Sequence, residues 1–370
     1  MTITNFQTLV LAAPLKKPMG GISHSGPVYS RKTALIQVMT DEGLVGLGES
    51  FGIPELVPPI VQHVFRPLLI GQDALDTEGL WDRMYRGLGY HGQKGLLVEV
   101  LSGIDIALWD LRGKAVGQPI YKLLGETHRT TLPAYAAGMY FSQVDNLRAE
   151  ARSYVEQSFS AVKLKIGVGN KVPDEVAVRT VRETVGPDVR VMADLNCGYD
   201  YEKALEAGKK LEPYDLHWLE EPVPPEYLED YHRLRQTLTM KIAGGEAEYT
   251  RWGFKAMFEK EAVDVAQPDL MRCGGLTEGR RIAQLAAEYG VPVSTHAWLS
   301  IVGMVASLHY GAACPLFESF EFEMTENPLR DDITVQKLRA ERSQVKVFEG
   351  PGLGLDLIDE QVARYLVMKG

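Results

Sequence analysis

The chain has 370 residues, 45% of them hydrophobic and 24% charged, with a formal net charge of −10. This is the balance of a globular protein long enough for two domains. The negative charge speaks against nucleic acid as a partner, because phosphate binding needs clustered Lys and Arg, and no apolar run approaches the roughly 20 residues of a membrane span.

The start, Met1-Thr-Ile-Thr-Asn-Phe6, lacks the basic residues and apolar core of a secretion signal, so a cytoplasmic location is expected. Cys197, Cys273 and Cys314 form no close-spaced pair and are read as free thiols. Lys16 to Pro27, rich in Gly and Pro, reads as a long mobile loop. Next, Thr33–Met39 and Leu44–Gly48 flank the turn signal Asp41-Glu42-Gly43 and predict an antiparallel hairpin. Glu49-Ser-Phe-Gly-Ile-Pro54 reads as a second loop. Helical patterns follow over Leu56–Leu69, Thr77–Leu88 and Gly95–Val116, the last stopped by Gly117. A boundary is expected near Glu126 to Thr130.

From Thr131 the rhythm changes to short apolar runs, each followed by a helix-length amphipathic segment, as in a parallel α/β fold. The expected strands are Thr131–Tyr135, Ala161–Ile166, Val191–Asn196, His217–Pro222, Ile242–Glu246, Ala262–Asp269, Val291–His296 and Leu316–Phe322. Eight strand-helix units suit a closed barrel. The tail from Asn327 to Gly370 lacks this rhythm and is expected to return to the N-terminal part.

In a parallel barrel all strands open their carboxyl ends on one face, so charges at strand ends converge. Asp194, Glu220 and Glu246 end consecutive strands and offer the hard oxygen ligands that suit Mg²⁺ or Mn²⁺. Lys163 and Lys165 share one strand face. Lys163 is expected to face a substrate carboxylate, and its like charge, with burial, to lower the pKa of Lys165 and make it a base. Asp269 and His296 end neighbouring strands, a pairing in which a carboxylate fixes the tautomer of a histidine base. Lys165 and His296 would then approach a substrate α-carbon from opposite faces. Glu321, if protonated, would donate a hydrogen bond to the substrate carboxylate, and Asn196 shares the face of Asp194.

This set resembles the enolase superfamily, mandelate racemase subgroup, over nearly the whole chain. The resemblance implies a modified TIM-like (β/α) barrel at 129–326, an N-terminal α+β capping domain at 1–128, and a C-terminal segment at 327–370 that completes the cap. It implies metal ligands Asp194, Glu220 and Glu246, with Glu220 chosen over Glu221 as the first Glu before Pro222. It implies a Lys165 base, an Asp269/His296 dyad, and Glu321 rather than Glu318 on the last strand, because Phe320 and Phe322 flank it. The absence of lysine from Glu261 to Gly279 speaks against the muconate-cycloisomerase type.

The expected function is Mg²⁺-dependent removal of the α-proton of a small carboxylate substrate, giving a metal-stabilised enediolate. Gln267–Leu270, Cys273–Gly275, Thr325–Arg330 and Gly350–Gly354 resemble stretches of sugar-acid dehydratases and lactone cycloisomerases, so dehydration of an acid sugar is favoured. Racemisation or epimerisation and lactone cycloisomerisation are the alternatives, and a catalytically silent metal-binding homologue is the alternative outside enzymes. A metal-dependent hydrolase is disfavoured because Leu132–Tyr140 holds no His-X-His. Loops 16–27 and 49–54, with Tyr90 and His91, are expected to close over the barrel, His24 and Tyr29 being candidate hydroxyl contacts. A homo-oligomer is expected.

Overall fold

The computed structural model describes residues 1–20, 27–140 and 143–370. Strands β1 (Ile3–Met19), β2 (Val28–Thr40) and β3 (Val45–Ser50) form an antiparallel sheet. The expected hairpin is present, its strands Ala34 to Met39 pairing with Val45 to Ser50. Two expectations change. Lys16–Met19 belong to β1, and Met19 pairs with Val28, so the strand alternation outlasts the Pro-rich composition there. Glu49 and Ser50 complete β3, and the second loop starts at Phe51.

Helices over Thr77–Gly87 and Leu96–Val116 pack behind this sheet. The longer one ends at Gly117, whose φ of 66° supplies the left-handed cap expected from its sequence. It lies against β3 with backbones almost touching: a Cβ at Gly48 would stand 1.9 Å from the carbonyl oxygen of Gly103. The expected helix over Leu56–Leu69 is present, helical without a break from Pro54 to Leu69, but its winding changes along the way, opening to a wider turn over Val61–Phe65.

The barrel consists of eight parallel strands: β4 (Thr131–Gly138), β5 (Ala161–Lys165), β6 (Arg190–Asp194), β7 (Leu216–Glu220), β8 (Lys241–Gly244), β9 (Val265–Ala266), β10 (Val293–Thr295) and β11 (Phe317–Glu323). Pairing of β11 with β4 closes it. Tyr135, Ala137, Ala161, Met192, Trp218, Ala243 and Val265 pack together inside, while Val162, Leu164, Ala193 and Leu219 join the larger core. Strand alternation therefore sends Lys163, Lys165, Asp194 and Glu220 inward.

After the barrel, β12 (Ala340–Glu341) and β13 (Gln344–Lys346) extend the sheet beside β4, and β14 (Leu366–Lys369) pairs with β1, so the tail returns to the N-terminal sheet. Side chains of the N-terminal unit hold the barrel directly. Trp81 Nε1 donates to the carbonyl of Gly274 (2.7 Å), and Asp105 accepts from the backbone N–H of Thr277 (2.8 Å). Arg31 of β2 pairs with Glu323 of β11 at 3.1 Å. No helix among the described residues is long and apolar enough to cross a membrane, and the three cysteines are free thiols.

Candidate active site

The register explains why the charges meet. Lys165 pairs with Asp194, and Asp194 with Glu220, so these side chains lie level on adjacent strands at the carboxyl end of the barrel. Glu246 follows β8 by two residues. One oxygen from each of Asp194, Glu220 and Glu246 lies within 4.8 Å of the others.

Each outer member of this trio faces a candidate base. Asp194 is ion-paired with Lys165, and Glu246 Oε2 lies 3.5 Å from His296 Nε2. The middle member, Glu220, is fully buried and accepts from Lys163 (2.5 Å), Trp218 Nε1 (2.9 Å) and Gln267 Nε2 (2.8 Å). Lys163 also stands 2.9 Å from Glu321 and 3.6 Å from Asp194. Its ammonium is thus spent on three carboxylates and is 2% exposed. Lys163 forms an electrostatic floor beneath the acids.

The electrostatics correct two expectations. Burial lowers the pKa of Lys165, and Lys163 lowers it further, but Asp194, Glu246 and Tyr140 outweigh both, so it lies above the ordinary lysine value. The expectation of a lowered value considered the like charge and not the carboxylate one strand away. Glu321 is likewise held below the usual carboxylate value: burial pushes it up, but Lys163 and His296 pull it down further. It is therefore ionised and accepts, taking the backbone N–H of Ala297 at 3.1 Å, in place of the expected donation.

Asp194 is held at about 2, because Lys165 and Lys163 prevail over burial. Burial and the neighbouring Asp194 push Glu220 up to about 8, against the pull of Lys163.

Across the barrel, Asp269 Oδ2 lies 2.7 Å from His296 Nδ1, leaving Nε2 directed toward Glu246. Burial lowers the His296 pKa, but Glu246 and the Asp269 hydrogen bond raise it more, to about 9, so the ring is an imidazolium at neutral pH. Glu318 stands at the other end of the barrel with His217 (2.5 Å) and Lys241 (3.3 Å), leaving Glu321 as the last-strand acid in the cluster.

Asn196 is buried beside the acids, its backbone N–H donating to Asp194 Oδ1 at 2.8 Å. Tyr29 is 68% exposed on β2 and is not brought to the cluster. His24 lies outside the described residues. Tyr90 is fully exposed.

Strand alternation by itself would bring only one of Glu220 and Glu221 inward. Glu221, however, has a φ of 41°, which breaks the alternation, and it too is buried, with Oε1 unpartnered. Burial first, then Glu246 and Asp194, raise its pKa well above the ordinary value, so its carboxyl also borders the trio.

Several site residues were not singled out from sequence. Gln267, two before Asp269, shares its strand-end face, a period-two signal that could have been read. Phe51 and Trp298 could not: their rings meet at 6.3 Å only because the N-terminal sheet docks there, and Phe51 also packs on His296 at 6.4 Å.

The donor set fits a divalent cation. It offers three hard oxygen ligands, like charges that oppose one another, and Glu246 Oε2, buried without a hydrogen-bond donor.

Comparison with known proteins identifies the family. Residues 7–125 match the family described as "Mandelate racemase / muconate lactonizing enzyme, N-terminal domain", and residues 146–362 match "Enolase C-terminal domain-like". The chain is 37% identical over 369 residues to a D-galactarolactone cycloisomerase of Agrobacterium fabrum, covering 96% of this chain and 97% of that one. It is 36% identical to an arabinonate dehydratase of Saccharolobus solfataricus, covering 89% of each. A solved racemase from Streptomyces coelicolor with bound magnesium superposes with a TM-score of 0.91 at 27% identity, covering 99% of this chain and 100% of that one.

Proposed function

The chain belongs to the mandelate racemase/muconate lactonizing enzyme family of the enolase superfamily, and on that footing we propose that it removes the α-proton of a sugar acid and expels the β-oxygen, most simply as water. The observation that carries this reading is the placement of Lys165 beside Asp194 and of His296 beside Glu246, at the two ends of one acid trio.

In this proposal Asp194, Glu220 and Glu246 would hold Mg²⁺. The cation would supply Lewis acidity toward a substrate carboxylate oxygen and compete with Lys165 for the charge of Asp194. Burial and the like charge of Lys163 both favour the neutral amine of Lys165, against the pull of Asp194, Glu246 and Tyr140. Lys165 Nζ takes the α-proton. The electron pair of the broken C–H bond delocalises into the carboxylate as an enediolate, and Lys163 offsets the added negative charge from below.

His296 then gives its Nε2 proton to the β-oxygen as the C–O bond breaks, with Asp269 holding the ring. For a free β-hydroxyl the products are water and an enol, which tautomerises to the 2-keto-3-deoxy acid.

Similarity to the D-galactarolactone cycloisomerase supports a second form of the same chemistry. If the leaving β-oxygen belongs to a ring of the substrate, it stays attached to the product, and elimination becomes isomerisation. One experiment separates the two. Arabinonate, xylonate, galactonate, mannonate and D-galactarolactone are incubated with protein and Mg²⁺ in D₂O and followed by mass spectrometry. Dehydration yields a product lighter by one water, and ring opening a product of unchanged composition apart from deuterium. α-Deuteration without elimination would point to racemisation and overturn the elimination reading.

A further inference from the structure

We infer that Glu49, a residue of the N-terminal sheet, is a positioning residue for His296. It clamps the loop that follows β10 and thereby makes general-acid chemistry depend on docking of the N-terminal unit. The inference rests on the role given to His296 above.

The segment from His296 to Ser300 is tied down residue by residue. Asp269 holds the ring of His296 and Glu321 holds the N–H of Ala297. Asn327 donates to the carbonyls of Trp298 (3.3 Å) and Leu299 (2.5 Å). All these anchors belong to the barrel or the segment just after it. The anchor at Ser300 does not. Glu49 Oε1 accepts the Ser300 backbone N–H at 3.0 Å, and Oε2 accepts the Ser300 hydroxyl and the Gly303 N–H, both at 2.7 Å. These N–H groups open the Ile301–Ala313 helix, where a carboxylate is favoured by the helix dipole.

The clamp is built and not incidental. Glu49 is wholly buried, and Thr33 of the same sheet donates to it, so its two oxygens meet four donors. A Cβ at Gly303 would lie 2.8 Å from Glu49 Oε2, so this close approach needs a glycine there. Two residues after Glu49, Phe51 packs on both His296 and Trp298, and its N–H donates to the Met271 carbonyl at 3.2 Å. The same short stretch of the N-terminal unit thus grips the loop from behind and lines it in front.

Glu49→Gln preserves shape and removes the fit. Backbone donors sit at both oxygens, so the amide NH₂ must face one of them whichever way it turns. The test combines amide hydrogen exchange with a partition measurement in D₂O, using the sugar acid consumed in the panel above. Glu49→Gln should raise exchange in residues 296–303 and leave the other barrel strands protected. It should also raise the ratio of α-deuteration to elimination about 10- to 100-fold, because displacement of the acid slows only the second step. Thr33→Val, which removes one donor on the N-terminal side, should shift both readouts the same way by less, and serves if Glu49→Gln fails to fold.

A merely structural role would lower deuteration and elimination in proportion. An unchanged ratio in both variants, or unchanged protection of 296–303, overturns the inference. His296→Asn separates the two levels of argument. If it leaves the ratio at the parental value, or if no panel acid reacts, the role of His296 fails with its functional coupling to Glu49, and amide exchange alone decides whether the clamp exists.

Discussion

Asp269 and His296 are bound twice, by a 2.7 Å contact between Oδ2 and Nδ1 and by a parallel backbone bridge between the same two residues. The ring cannot turn without breaking its bond to Asp269, and the backbone bridge keeps the two residues side by side. Replacing Asp269 with Asn removes the negative charge and lets the ring adopt the other tautomer. Steady-state kinetics should show elimination slowed by about 10²- to 10⁴-fold. α-Deuteration, assigned to Lys165, should change far less, and equal loss of both activities would contradict the division of labour.

Lys165→Ala should abolish α-deuteration and elimination together while the circular dichroism spectrum stays parental. An ordinary rate of deuteration in this variant would show that another group takes the proton.

Lys163 compensates Glu220, Glu321 and Asp194 at once. Lys163→Met leaves these buried carboxylates without that cation, which should cost about 3–5 kcal/mol in urea unfolding. Added Mg²⁺ should restore part of the loss. A variant as stable as the parent without Mg²⁺ would mean that the floor of the site does not depend on this charge.

Mg²⁺ should stabilise the folded protein by about 2.7 kcal/mol at roughly 100 times its Kd, the amount set by binding to the native state alone. Glu246→Gln should weaken this shift. A variant that keeps the parental response would remove Glu246 from the ligand set.

Asp105, far from the acid trio in sequence and joined to Thr277, has its carboxyl pushed up from the ordinary aspartate value to about 7, chiefly by burial. Its folded form therefore holds a proton more tightly than its unfolded form, and ionisation works against folding. Relative to the parent, Asp105→Asn should gain stability as pH rises from about 4 to about 7, by up to about 4 kcal/mol in denaturant titrations. A stability difference that does not change with pH would contradict the shift.

What the sequence conveyed and what it withheld follow from the range of the forces involved. Lys165, Asp194 and Glu220 were legible because each ends an apolar strand in a repeating unit, and strand parity then sends them inward. Lys16–Met19 were misread because composition signals a loop, while pairing with β2 decides the outcome. Local rules also failed at Glu221, where a positive φ undoes the alternation. The Lys165 pKa depends on an oxygen of the next strand, and the grip of Glu49 on Ser300 spans 251 residues of sequence. Neither distance can be read from spacing.

The measurement closest to the centre of this account is anomalous diffraction from crystals soaked in Mn²⁺ as a stand-in for Mg²⁺. One peak should appear, bonded to an oxygen from each of Asp194, Glu220 and Glu246, with Lys165 and His296 on its two sides. A peak that takes Glu221 in place of Glu220, or no peak among these carboxylates, would contradict it.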